Sequence, residues 1–175
     1  MLDRALKFAD ARPEDAPKLA ALGRDTFVET FGALYDPADL KQFLEETHDV
    51  SVWDRELEEP GMEVRFASSS GKFVAYCKIG EMKLPFEYGD APVLELRQLY
   101  VRESRQGVGV GRILLNWAID RARERGAEDF YLGVWESNDR AISVYESRGF
   151  EKVGGYKFRV GNTLDDEVIM RLSLR

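Results

Sequence analysis

Apolar residues recur every three to four positions over the first third of the chain, every second position from Met62 to Ile79, and in alternating blocks of both periods thereafter. Residues 6–9 suit a short first strand. Pro13, Glu14 and Asp15 place a proline and two acids at a helix start, and Ala16, Leu19, Ala20, Gly23, Phe27 and Phe31 then share one helical face, to about residue 31. A second helix begins near Pro37, with Leu40, Phe43 and Leu44 on its apolar side. Residues 45–63 are acidic, and although Val52, Trp53 and Leu57 sit there at helical offsets, the expectation is a solvated face with a few apolar anchors.

Met62, Val64 and Phe66 alternate, residues 68–71 supply a turn, and Phe73, Ala75, Cys77 and Ile79 alternate again, which predicts a hairpin. The branched and aromatic run from Val93 to Val101 reads as a strand. Leu114, Ala118 and Ala122, widened by Leu115 and Ile119, mark a helix that closes before Gly126, with Arg121, Arg123 and Arg125 complementing its negative end. A strand from Asp129 to Trp135 precedes a helix capped by Ser137 or Asn138, with Ala141, Ile142 and Tyr145 on one face and Gly149 at its end. Two last strands, near 150–160 and 168–174, flank the turn Gly161-Asn162-Thr163. The order βααβββαβαββ predicts a single mixed α/β domain over residues 1–175, without repeat or linker.

The 175 residues are 44% hydrophobic and 33% charged, ordinary for one globular core. An excess of 32 acidic over 25 basic residues gives a net charge of -7, which argues against duplex nucleic acid and is compatible with a cationic small molecule. No apolar run approaches the ~18–20 residues of a membrane span, and the first residues lack the apolar core of a signal peptide, so a cytoplasmic protein is expected. The single cysteine, Cys77, leaves no internal disulfide or Cys-rich zinc site and is expected as a small buried strand residue; no metal is expected. His48 is the only histidine, lies in the charged stretch LEETHDV with no nucleophile near it, and is expected at the surface.

Candidate chemistry concentrates in Arg105-Gln106-Gly107-Val108-Gly109-Val110-Gly111-Arg112, where a strand passes into a helix through alternating glycines. Residues without side chains let backbone N–H groups approach a phosphate, and the helix start adds unpaired donors and a positive dipole end. A P-loop would need Gly-Lys-Ser/Thr after four residues, and none occurs; a dinucleotide fingerprint would need glycine where Arg112 or Leu114 stands.

Gln106-x-x-Gly109-x-Gly111 does resemble the Gln/Arg-x-x-Gly-x-Gly/Ala motif of the GNAT superfamily of N-acetyltransferases, and Asn138 to Phe150 resembles that family's Asn-x-x-Ala-x-x-x-Tyr-x-x-x-Gly-Phe. Leu99-Tyr100-Val101, Leu132-Gly133-Val134-Trp135-Glu136 and Thr26 to Gly32 are similar to segments of bacterial spermidine/spermine-type members. The resemblance implies an α/β (α+β) fold: a twisted, mostly antiparallel mixed sheet of about six to seven strands with about four helices, splayed between strands 4 and 5. It implies acetyl-CoA as co-substrate, on Leu99, Tyr100, Val101, Gln106, Gly107, Val108, Gly109, Val110, Gly111, Arg112, Asn138 and Tyr145. It further implies a primary amine acceptor, a polyamine or other small cation, and allows a homodimer. An alkylamine titrating near ~10.4 is almost wholly protonated at pH 7, so a base or a proton-removing water chain is needed, and Glu95 is the carboxylate expected to serve, directly or through water. Tyr145 is expected to protonate the departing thiolate. Two other readings stand beside this one: a non-catalytic acetyl-CoA-binding or sensory domain, and an acetyltransferase for peptide or protein N-termini.

Overall fold

In the computed structural model, which describes residues 6–175, the chain runs β1 (Leu6–Asp10), α1 (Ala16–Phe31), α2 (Pro37–His48), α3 (Val50–Glu58), β2 (Glu63–Ser69), β3 (Lys72–Gly80), β4 (Val93–Val101), α4 (Val110–Glu124), β5 (Asp129–Trp135), α5 (Asp139–Glu146), β6 (Glu151–Val160) and β7 (Thr163–Ser173). The strands form one sheet in the order β1-β2-β3-β4-β5-β7-β6. β4 and β5 are parallel and every other neighbouring pair is antiparallel. This is the mixed, mostly antiparallel sheet that the resemblance implies.

Pairing between β4 and β5 ends at Leu96 opposite Leu132. Beyond that point β4 stays with β3 as far as Val101, and β5 stays with β7 as far as Trp135 opposite Glu167, so the two strands part company in mid-sheet. The break coincides with a bulge. Lys78 faces Gln98 while Ile79 faces Leu96, which leaves Arg97 as the extra residue on β4. An extra residue bends its strand and raises the local twist, which is the physical means of turning β4 away from β5 here.

Each face of the sheet carries helices. On one, Leu114, Leu115 and Ala118 of α4 pack with Cys77, Ile79, Leu94 and Leu96, joined by Ile142 and Tyr145 of α5. On the other, Leu19 and Leu22 of α1 and Trp53 of α3 pack with Val64, Phe66 and Tyr76. Phe27, Phe43 and Val160 make a smaller cluster where α1 and α2 meet the end of β6. Burial on this scale stabilises by roughly 1.5–3 kcal/mol for each large apolar side chain.

Three expectations need correction. The acidic stretch is not merely a solvated face: it completes α2 and forms α3, a fifth α-helix, with Trp53 fully buried. Its carboxylates are balanced in part by tertiary partners, Glu56 by Lys78, Glu59 by Lys83 at 3.1 Å and Glu63 by Arg121 at 2.7 Å, and these contacts are invisible to a local pattern. The last strand starts at Thr163, five residues before its apolar run, because Val160 already pairs with Thr163 across Gly161-Asn162. His48 is buried, 1% exposed, where the end of α2 packs against Phe27, Phe43 and Trp53. Cys77 is buried as expected.

Candidate active site

The parted ends of β4 and β5 open a cleft of about 750 Å³, lined from the α4/α5 side by the glycine turn, Asn138 and Tyr145 and from the α1/α2 side by Phe27, Phe31 and Phe43. Arg102 donates its backbone N–H to Val74 O at 2.9 Å, toward β3. Polar groups alternate sides along a strand, so those of Leu99 and Val101 point the other way, into the gap that β5 has left. The Val101 carbonyl accepts from Gln106 Nε2 at 3.1 Å. Tyr100 turns its ring toward Tyr76, 5.8 Å between centroids.

The glycine turn is built for close approach. Among the described residues, no backbone N–H from 107 to 112 has a hydrogen-bond partner, and the first helical bond runs from Ile113 N–H to the Gly109 carbonyl at 3.1 Å. Gly107 and Gly109 have φ of 79° and 92°, a region costly for any residue with a Cβ. A Cβ on Gly111 would lie 3.3 Å from Val101 Cγ2. Guanidinium groups flank the run: Arg112 Nη2 lies 3.7 Å from where a Gly109 Cβ would stand, and Arg140 Nη2 3.8 Å from that of Gly107. Unpartnered N–H groups at a helix start beside two guanidinium groups suit a pyrophosphate. Gln106 acts as a strut, its Oε1 accepting from Arg140 Nη1 at 3.0 Å and so tying β4 to α5. Val108 is exposed and Val110 buried beneath the helix start, and neither side chain lines the cleft.

Asn138 caps α5 by accepting the Ala141 N–H at 3.3 Å, which leaves its amide nitrogen for the cleft. Tyr145, two helical turns beyond Asn138 and buried, packs edge-on to Phe150 at 5.8 Å. Burial, and then proximity to Cys77, pushes its phenol above the ordinary value and keeps it protonated.

On the α1/α2 side the walls are aromatic: Phe27, Phe31, Phe43, Phe158 and Trp135. Glu167 of β7 is the cleft's carboxylate among the described residues. It accepts from the Tyr156 hydroxyl at 3.4 Å, and burial raises its pKa to about 7. Glu95 lies outside the lining. Its Oε2 accepts the Lys83 N–H at 2.7 Å, anchoring the loop between β3 and β4, and its Oε1 lies 3.6 Å from Arg97 Nε. Burial raises the pKa of Glu95 as well. Glu167, Tyr156 and Arg97 carry no local sequence signal; pairing across the sheet and the bulge bring them together.

The sequence model of the Acetyltransferase (GNAT) family matches residues 25–150. An uncharacterized N-acetyltransferase of Lactobacillus delbrueckii subsp. lactis is 30% identical over 169 residues, 97% of this chain and 98% of that one. N-alpha-acetyltransferase RimI of Mycobacterium tuberculosis is 36% identical over 106 residues, 59% of this chain and 61% of its own length. The crystal structure of PaiA N-acetyltransferase from Thermoplasma acidophilum in complex with coenzyme A shares the fold, with a TM-score of 0.78 at 16% identity, over 96% of this chain and 98% of that one. The family match takes in the splayed strands, the glycine turn and the tyrosine helix together, and the chain belongs to the GNAT family of acetyl-CoA-dependent N-acetyltransferases.

Proposed function

We propose that the enzyme acetylates the primary amine of a small molecule, with acetyl-CoA on the α4/α5 side of the sheet gap and the amine on the α1/α2 side. The observation that carries this reading is the gap itself. It joins the anion cradle at residues 106–112 to an aromatic chamber whose carboxylate, Glu167, titrates near neutrality. Acetyl-CoA, when bound, supplies an activated acetyl thioester. The N–H groups of residues 107–112, with Arg112 and Arg140, would hold its pyrophosphate, the main chain of Leu99 and Val101 would pair with its amide arm, and Asn138 would reach that arm with its free amide nitrogen. The Leu99 N–H, aimed into the gap, would meet the carbonyl oxygen as charge develops on it.

Glu167 removes the proton from the ammonium form of the acceptor. A base with a pKa about 7 is about half ionised at pH 7 and still competent to accept a proton, the compromise that general-base catalysis favours. Tyr145 holds a proton at its Oη for the departing thiolate. Glu95 serves from behind, fixing the β3–β4 loop and standing beside Arg97.

Two contacts favour a small acceptor over a polypeptide laid across the chamber. Tyr35 donates to Asp165, and Asp39 accepts from Asn162 N–H at 3.0 Å and Thr163 Oγ1 at 3.1 Å, so the start of α2 is tied to the β6–β7 turn. A preference for polyamines would rest on an acidic field, yet no carboxylate of residues 45–63 lines the cleft. The likeness to RimI keeps a peptide N-terminus as the second reading.

Calorimetry with acetyl-CoA on Gly109→Asp tests the assignment. A carboxylate inside the cradle, at φ 92°, should abolish binding while the variant keeps a cooperative melt. Wild-type affinity in a folded variant would refute the cradle. Thiol release with amine acceptors but not without them separates the enzyme from a sensory domain, and parallel assays of free amines and a peptide N-terminus separate the two acceptor classes.

A further inference from the structure

Arg97 is the extra residue of the β4 bulge, and it lines the cleft just where β4 and β5 part. Its side chain is 18% exposed. Among the described residues, its guanidinium makes no hydrogen bond; its ionic contact is Nε to Glu95 Oε1 at 3.6 Å, too long for one, and Nη1 is buried with no acceptor. Lys78, close by on β3, is drawn to Glu56 instead and adds positive charge beside Arg97. A mostly buried guanidinium with its donors unspent is costly unless an oxygen ligand completes it. The other arginines facing the cleft include Arg112 of α4 and Arg140 of α5, which flank the glycine turn, while Arg97 belongs to the acceptor side: Glu95, its ion-pair partner, also acts electrostatically on the phenol of Tyr156, the residue that donates to Glu167.

We propose that Arg97 receives a carboxylate of the acceptor, so that the substrate is an amine that also carries a carboxylate, an amino acid. The guanidinium fork matches a carboxylate in two parallel hydrogen bonds, and the partial neutralisation by Glu95 keeps it from acting on every anion alike. The aromatic walls take the apolar part of the molecule, and the amine is left toward Glu167. This assignment deepens the acetyltransferase reading and rests on it for the amine, but the recognition of the carboxylate is a binding event and is measured without turnover.

The experiment pairs L-phenylalanine, L-methionine and 4-aminobutyrate with their carboxamides, adds spermidine, and measures both thiol release with acetyl-CoA and equilibrium binding to the CoA-loaded protein. At least one acid should exceed its own carboxamide by about 10-fold or more in kcat/KM and in affinity. Arg97→Gln should remove that preference by raising KM for the acid far more than for its carboxamide, with acetyl-CoA affinity kept, and Arg97→Lys should restore part of it. Because Arg97→Gln leaves Glu95 without its cation, Glu95→Gln/Arg97→Gln provides a neutral control if the single variant fails to fold. Equal values for acids and carboxamides, a preference for spermidine, or a preference that survives in a folded Arg97→Gln protein would overturn the proposal. Binding of an acid through Arg97 without thiol release would instead count against the transfer reading alone.

Discussion

Glu167 illustrates how surroundings reset the chemistry of one residue. It stands in the polar run Leu164-Asp165-Asp166-Glu167, where nothing distinguishes it from its neighbours. Opposite Trp135, on the strand beside the gap, it loses water and its pKa climbs to about 7, the Tyr156 hydrogen bond offsetting only part of the rise. If it is the base, the ionised form is the active one, so kcat/KM should climb with pH up to about 7 and bend there. Glu167→Gln should lose about 100-fold in kcat/KM and the bend with it, while keeping the slope due to the acceptor amine's own ionisation. A pH–rate profile on both proteins decides this, and a bend retained in the variant would move the role elsewhere. Glu95 is the carboxylate that the sequence singles out, because it stands on the strand flanking the cleft. Its position on β4 is as anticipated, but the backbone of the β3–β4 loop occupies one of its oxygens.

At the scale of elements, α1 and α2 are fitted to each other through the contact of Gly23 with His48. A Cβ on Gly23 would stand 2.4 Å from His48 Nδ1, so the glycine is there for the imidazole. Helix propensity alone favours alanine over glycine by about 1 kcal/mol. The clash should outweigh it, since forcing atoms into a packed site costs about 1–3 kcal/mol. Gly23→Ala is therefore expected to lower stability in chemical denaturation, and Gly23→Ala/His48→Ala to show a coupling of opposite sign to the two single losses. Strict additivity would mean that the helices simply slide apart. Contacts between elements also make α3, which its local pattern does not reveal. Val52, Trp53 and Leu57 are spaced for a helix, but their acidic neighbours read as solvent-facing until Lys78, Lys83 and Arg121 arrive from other elements.

For the molecule as a whole, His48 links folding to acidity. Burial first, then Lys78 and Arg24, lowers its pKa to about 3, so the folded protein holds it neutral while the unfolded chain takes up a proton near 6.5. The unfolded state then binds more protons between pH 6.5 and 3, and stability contributed by neutral His48 is complete above 6.5 and lost as pH falls, at up to ~1.4 kcal/mol per unit. Glu167, its pKa raised, acts in the opposite sense between about 7 and its unfolded value of 4.5, so the loss should be steepest below that window. Denaturation at pH 6.5, 5 and 4 should show wild type losing ground to His48→Gln step by step, and a constant difference would mean that His48 is protonated in the native state. The sequence by itself determined the parts whose cause is local. Alternating or helical periodicity, a proline or asparagine at a helix start and glycines between strand and helix act over a few residues, so the seven strands, four of the helices and the glycine turn were legible. Only the tertiary structure decided where β4 leaves β5, that His48 is interior, and which carboxylate and which arginine line the cleft. Those outcomes depend on register, on a bulge and on lost hydration, and each is a relation between segments far apart in the chain that no short stretch of sequence contains.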